Sequence, residues 1–136
     1  MQFNAHVAFD GSCEQAFRFY QQVLGGNIVT MMPFEGSPVA AQVAPEWRGK
    51  ILHASLQVGE HWIMGGDAPP DRYQRPQGFS IGIQLADPAE AERIFNALAD
   101  GGSIRMPLAE TFWAQRFGML VDRFGVPWLV NCGKVS

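Results

Sequence analysis

The chain is poor in the features that most directly disclose a function. Two cysteines occur in 136 residues, Cys13 and Cys132. They are far apart with no CxxC spacing, so they read as buried or idle thiols and offer no disulfide framework or zinc site. Charged residues amount to 17% and the net charge is −3. No basic block occurs, and the electrostatic footprint of a nucleic-acid binder is missing. No apolar run approaches the ~18 residues of a membrane span. The opening MQFNAHVAFDG also lacks the charged head and long apolar stretch of a secretion signal. A cytoplasmic protein with no nucleic-acid and no membrane partner is expected. No glycine-rich loop follows a strand pattern, which removes the usual nucleotide cradle.

What the chain does have is core-forming material. Hydrophobic residues make up 47% and aromatic residues 12%, enough for one domain, 1–136, or two small modules sharing a core, but not for two independent domains. The sparse charge leaves apolar surface that a second copy can cover, and a homodimer is expected.

An internal repeat organises the chain. Residue n over residue n+76 aligns FDGSCEQAFRFYQQVLGGNI (9–28) with LADPAEAERIFNALADGGSI (85–104) without a gap, matching Glu14, Phe19, Gly25, Gly26 and Ile28 with Glu90, Phe95, Gly101, Gly102 and Ile104. Both segments read as helices. Ser12 with Gln15, and Asp87 with Glu90 behind Pro88, have the pattern of capping boxes. Cys13, Ala16, Phe17, Tyr20 and Leu24 form one apolar stripe; Ala91, Ile94, Phe95 and Leu98 form the other. A glycine pair ends each helix.

A short alternating strand precedes each helix. In FNAHVAF, Phe3, Ala5, Val7 and Phe9 alternate with Asn4, His6 and Ala8; FSIGIQL repeats this from Phe79 to Leu85. ILHASLQVG sets Leu52, Ala54, Leu56 and Val58 against His53, Ser55 and Gln57. One face of each strand is apolar and the other small or polar, the pattern of strands lying under a helix. Three further strands follow each helix, at about 27–33, 51–58 and 61–66, then 103–107, 116–122 and 126–132. The prediction is an α+β fold of two βαβββ modules, about 1–68 and 78–136, joined by a linker at 69–77. Residues 34–50, rich in Gly, Pro and small side chains, read as a mobile loop. Trp62 and Trp128, in the final hairpins of the two modules, read as matching core residues.

The stretches FDGSCEQAFRFYQQVLGG, HASLQVGEHWIMGGDAP and ETFWAQRFGMLVDRFGVPW resemble the vicinal oxygen chelate superfamily of glyoxalases, bleomycin-resistance proteins and extradiol dioxygenases, and more narrowly its PhnB-like branch. The resemblance spans nearly the whole chain. It implies that the paired modules form a curled mixed sheet around a central cavity. It also places the metal positions of the metal-dependent members at Asn4, His53, Ser80 and Leu129. Only one of these is a strong ligand, where a catalytic metal needs at least three, so no metal and no cofactor are expected. Some members of the branch carry a methyltransferase label, which nothing in these residues supports.

Several residues carry two readings each. His6 and His53 suit a general acid and base near neutral pH, or a pair of cavity histidines hydrogen-bonded to Asn4, Ser55 or Gln57. Glu110 is a carboxylate base or a loop brace. Arg116 is a clamp for a ligand carboxylate or phosphate, or the partner of Asp122. Trp113 and Phe117 would supply an aromatic wall, while Phe124 and Trp128 are structural. Asp67 reads as the cap of the turn that follows it. The functional expectation is metal-free binding of a small molecule, with Asn4, Ser55, Gln57, Ser80, Trp113, Arg116 and Phe117 as contacts. The alternative is a lyase, isomerase or dioxygenase using His6 and His53.

Overall fold

A computed structural model describes residues 1–133. The chain divides into two compact units, Met1–Arg75 and Pro76–Ser136. In the first, strand β1 (Ala5–Phe9) leads to helix α1 (Cys13–Leu24) and then to β2 (Asn27–Pro33), β3 (Ile51–Val58) and β4 (His61–Asp67). In the second, β5 (Ile81–Leu85) leads to α2 (Pro88–Ala99), β6 (Ser103–Ala109), β7 (Arg116–Val121) and β8 (Pro127–Cys132). Each unit is one open four-stranded mixed sheet, ordered β1-β4-β3-β2 and β5-β8-β7-β6. The first and last strands of each βαβββ run parallel, and the other pairings are antiparallel. Among the described residues no helix is long and apolar enough to cross a membrane.

The alternation works as the sequence suggests, one face of each sheet lying under its helix. Under α1 lie Val7, Phe9, Ala54, Leu56 and Ile63; under α2 lie Leu120, Trp128 and Val130. The two leading strands are shorter than expected. Phe3 is 90% exposed and Phe79 50% exposed, and the ladders begin at Ala5 and Ile81. On the continued register the position before Ile81 meets Pro127, which has no N–H to extend the ladder.

Registering both units on their own ladders corrects two expectations. Ala5 pairs with Ile63 and Ile81 with Trp128, so the counterpart of Trp128 is Ile63. Trp128 is fully buried against α2, whereas Trp62 is half-buried on the opposite face of its sheet. The ungapped alignment also slips inside the helices. Strands β1 and β5 are offset by 76 residues and helices α1 and α2 by 75, from Cys13 to Pro88. The buried set of α1 is Cys13, Ala16, Phe17, Tyr20 and Val23, and that of α2 is Ala91, Ile94, Phe95 and Leu98. Tyr20, not the half-buried Phe19, is thus the counterpart of Phe95, and Val23 replaces Leu24 in the stripe. Asp100 restores the offset after α2. The second glycine of each pair then meets the same obstacle, since a Cβ on Gly26 would lie 2.1 Å from the Gln57 carbonyl oxygen and one on Gly102 2.2 Å from that of Val121.

Residues 34–50 form a loop closed on itself. Its two ends are held by Phe34 N–H to Lys50 O and Glu35 N–H to Arg48 O. Single 3₁₀ turns lie at Ala40–Gln42 and Pro45–Trp47, and the Arg48 side chain donates to Ala40 O. Such compact loops are packed by their own groups.

Candidate functional site

On the first sheet the face turned away from α1 carries the histidines. His6 lies on β1 and His53 on β3, with β4 between them. Two strand spacings, about 9–10 Å, and a two-residue offset in register separate their backbones, yet the imidazole rings lean together to 6.1 Å between centroids at 23°. His6 is exposed and His53 half-buried. The β4 side chain between His6 and Ser55 is Met64, which pairs with both. The next residue on that face is Gly66, where a Cβ would lie 2.5 Å from the Leu52 carbonyl oxygen. Ser55 is buried and Gln57 half-buried along the same face.

The imidazoles meet each other rather than Asn4, Ser55 or Gln57. Asn4 precedes β1, is exposed, and accepts from the Gln2 side chain at 3.1 Å. Asp67 serves the start of α1 rather than the turn that follows it. Its two oxygens accept from the backbone N–H of Cys13 at 2.9 Å and of Ile51 at 2.8 Å. It therefore caps α1, while Ser12 makes no side-chain cap. Burial first, then the Asp67 and Glu14 carboxylates, push the Cys13 thiol far above its ordinary value. A concavity of about 330 Å³ opens beside this cap, bordered by Gly11, Glu14, Arg18 and Lys50. None of the residues expected from the sequence to bind a ligand or catalyse borders it.

On the second sheet the face turned away from α2 is aromatic. Phe117 on β7 stands edge-on to Trp113 at 5.2 Å, and Trp113 edge-on to Phe112 at 4.7 Å. Trp113 is 39% and Phe112 97% exposed. The loop that holds them is braced by Thr111, whose hydroxyl accepts from Trp113 and Ala114 N–H. Glu110, just past β6, is exposed. Ser80, just before β5, is half-buried.

Arg116 does not pair with Asp122. Six residues of extended strand, about 20 Å, separate them along β7. Arg116 Nε instead lies 3.7 Å from Glu92 on α2, and its guanidinium donates to Gln115 O at 2.7 Å. Asp122 is buried in the β7–β8 turn, where it accepts from Phe124 N–H, Val126 N–H and the Trp128 indole N–H.

Two residues on this face were passed over in the sequence. Asn131 on β8 is only 7% exposed and donates through Nδ2 to Gln84 Oε1 at 2.7 Å. A polar residue inside each of the apolar runs IGIQL and PWLVNC was the available signal. Which faces which depends on the ladder, Gln84 opposite Asn131 opposite Phe117.

The metal positions implied by the resemblance do not fit a metal. Asn4 and His53 lie in the first unit and Ser80 and Leu129 in the second, offering one imidazole, two weak oxygen donors and a hydrocarbon. Among the described residues no three His, Cys, Asp or Glu side chains come together.

Comparison with known proteins places this arrangement. Protein YjdN of Escherichia coli (strain K12) is 33% identical over 98% of this chain and 97% of its own. The crystal structure of protein PA1353 from Pseudomonas aeruginosa is 47% identical, covers 98% of both chains and superposes with a TM-score of 0.90. A putative 3-demethylubiquinone-9 3-methyltransferase, PhnB protein, from Bacillus cereus superposes at 0.83 with 23% identity, over 98% of this chain and all of its own. A glyoxalase/bleomycin resistance protein/dioxygenase family enzyme from Burkholderia phytofirmans PsJN shares the fold at a TM-score of 0.64 and 14% identity, over 95% of each chain. The model of the 3-demethylubiquinone-9 3-methyltransferase family matches residues 1–131. With its PhnB-like sequence and glyoxalase/bleomycin-resistance fold, the chain belongs to that family.

Proposed function

We propose that the chain binds a small organic molecule on the helix-free faces of its sheets, without a metal. The observation that carries this reading is the His6–His53 stack, two imidazoles brought to 6.1 Å on a face that also carries Met64, Ser55, Gln57 and Trp62. Imidazoles near neutral pH offer a donor, an acceptor and a flat ring at once. Trp113 and Phe117 offer apolar contact for a flat ligand. Methyl transfer is not carried over from the family's description. No glycine-rich loop follows a strand to cradle the nucleoside of a methyl donor.

The same stack favours one second reading, an acid–base enzyme in which one imidazole takes a proton and the other returns it. A thermal-shift screen of small aromatic and cationic molecules separates the two, run with chelator and with added zinc, nickel, manganese or iron(II). Binding predicts a ligand that raises the melting temperature equally with and without chelator. It also predicts that His6→Ala weakens the ligand. Catalysis predicts a product that disappears in His6→Ala or His53→Gln while binding persists. Stabilisation by a stoichiometric metal alone would overturn the metal-free reading.

We propose a homodimer in the cytoplasm as the working state. The edge strands β2 and β6 leave Val29, Met32, Ile104 and Met106 exposed, and such edges are normally covered. Light scattering after size-exclusion chromatography tests this, and a monomer at micromolar concentration would rule it out.

A further inference from the structure

We propose that the second sheet recognises its ligand through a carboxamide-type edge, an N–H beside a C=O, read jointly by Asn131 and Gln84. The proposal rests on the reading that the chain binds a small molecule and names the chemistry of what it takes. The hydrogen bond from Asn131 Nδ2 to Gln84 Oε1 uses one end of each amide. The other end of Asn131, Oδ1, is buried with no hydrogen-bond partner. An acceptor in that state carries an uncompensated desolvation cost, which an N–H from a ligand relieves. Gln84 is exposed on the edge strand β5, and its free end is the donor Nε2. Oδ1 and Nε2 thus offer one acceptor and one donor, the complement of a primary amide, a lactam or a heterocycle with the same edge. Because that edge is self-complementary, it is read equally well with both side-chain amides turned over.

The surroundings suit a flat molecule bearing such an edge. Phe117 pairs with Asn131 across β7 and β8, and Trp113 extends the aromatic surface from Phe117. On the other side Gly82 leaves its position on β5 without a side chain, and a Cβ there would touch only Leu129. A carboxylate is a poor fit because, whichever way the two amides are turned, one of their oxygens meets it with no proton to give. An ester fails because it has no N–H.

Benzamide and methyl benzoate are similar in shape and differ in that N–H. Titrated into the full chain and followed by ¹⁵N–¹H correlation spectra, benzamide is expected to shift the side-chain amides of Asn131 and Gln84 and the Trp113 indole. It should bind about tenfold more tightly than methyl benzoate. Asn131→Leu should bring the two probes to equal affinity. Gln84→Ala, at an exposed position, should weaken benzamide alone. Equal binding of both probes to the unaltered chain overturns the proposal. So does benzamide binding confined to the His6 and His53 face, which would leave the small-molecule reading standing. Benzamide binding nowhere also overturns it, and the broader reading falls with it only if the thermal-shift screen is silent as well.

Discussion

The two units share one strand order and one helix position, yet they satisfy the start of the helix differently. In the second unit Asp87 caps α2 from the adjoining residue, accepting from Ala89 N–H, with Pro88 at the first helical position. In the first unit the adjoining Ser12 makes no cap. Asp67, 54 residues away at the end of β4, accepts from Cys13 N–H and joins it to Ile51 N–H. The register counterpart of Asp67 is Cys132, opposite Leu85 as Asp67 is opposite Phe9. The space for aromatic rings is also exchanged. A Cβ on Gly65 of β4 would lie 3.1 Å from both Phe9 and Phe17, whereas in the second unit Gly118 of β7 gives way, 2.7 Å from Phe95. Similar folds thus draw their capping carboxylates and close-packed glycines from different places while meeting the same backbone and packing requirements.

This contrast is open to direct attack. Asp67→Ala and Asp122→Ala should do the most damage, about 3–5 kcal/mol each, because each strands buried N–H donors that a charged acceptor had satisfied. Asp87→Ala should cost about 1 kcal/mol, the usual loss of a local cap. Urea unfolding of the three variants measures this, and equal effects of Asp67→Ala and Asp87→Ala would erase the distinction between a tertiary and a local cap. Gly65→Ala comes next, at about 1–3 kcal/mol from overpacking, since its new Cβ meets the Val7 carbonyl oxygen at 2.7 Å as well as two rings. A neutral result would show that the first unit does not depend on that closeness.

The smallest effect concerns pH. The Arg93 side chain hydrogen-bonded to Glu90 holds that carboxyl below its ordinary value of 4.5. A depressed folded value means that the contribution is present above 4.5 and lost as pH falls through the folded value. Glu90→Gln should therefore flatten the acid limb of the stability curve slightly, by lowering stability a little at neutral pH and leaving it unchanged once the carboxyl is protonated. Acid titration followed by circular dichroism would show it, and a steeper acid limb in the variant would contradict the pairing.

Much of the fold was legible because its signals are local. Strand alternation, Pro88 after Asp87, and the two glycine pairs each act within a few residues. The βαβββ order and most strand limits follow from them. The site was less legible. Nothing local distinguishes His6 and His53 stacked on each other from two histidines bonded to Ser55 or Gln57. The Arg116 partner was misread because Asp122 is close in sequence and far along a straight strand, whereas Glu92 is distant in sequence and near in space.

The sequence by itself determined the class, the repeat and which face of each strand lies under a helix, since periodicity and helix stops are written into consecutive residues. Only the tertiary structure decided that Asp67 caps α1, that the helices are offset by 75 rather than 76, that the imidazoles of His6 and His53 meet, and that Asn131 keeps a buried acceptor beside Gln84. Each of these depends on ladder register and strand order, which bring together groups that no periodicity connects.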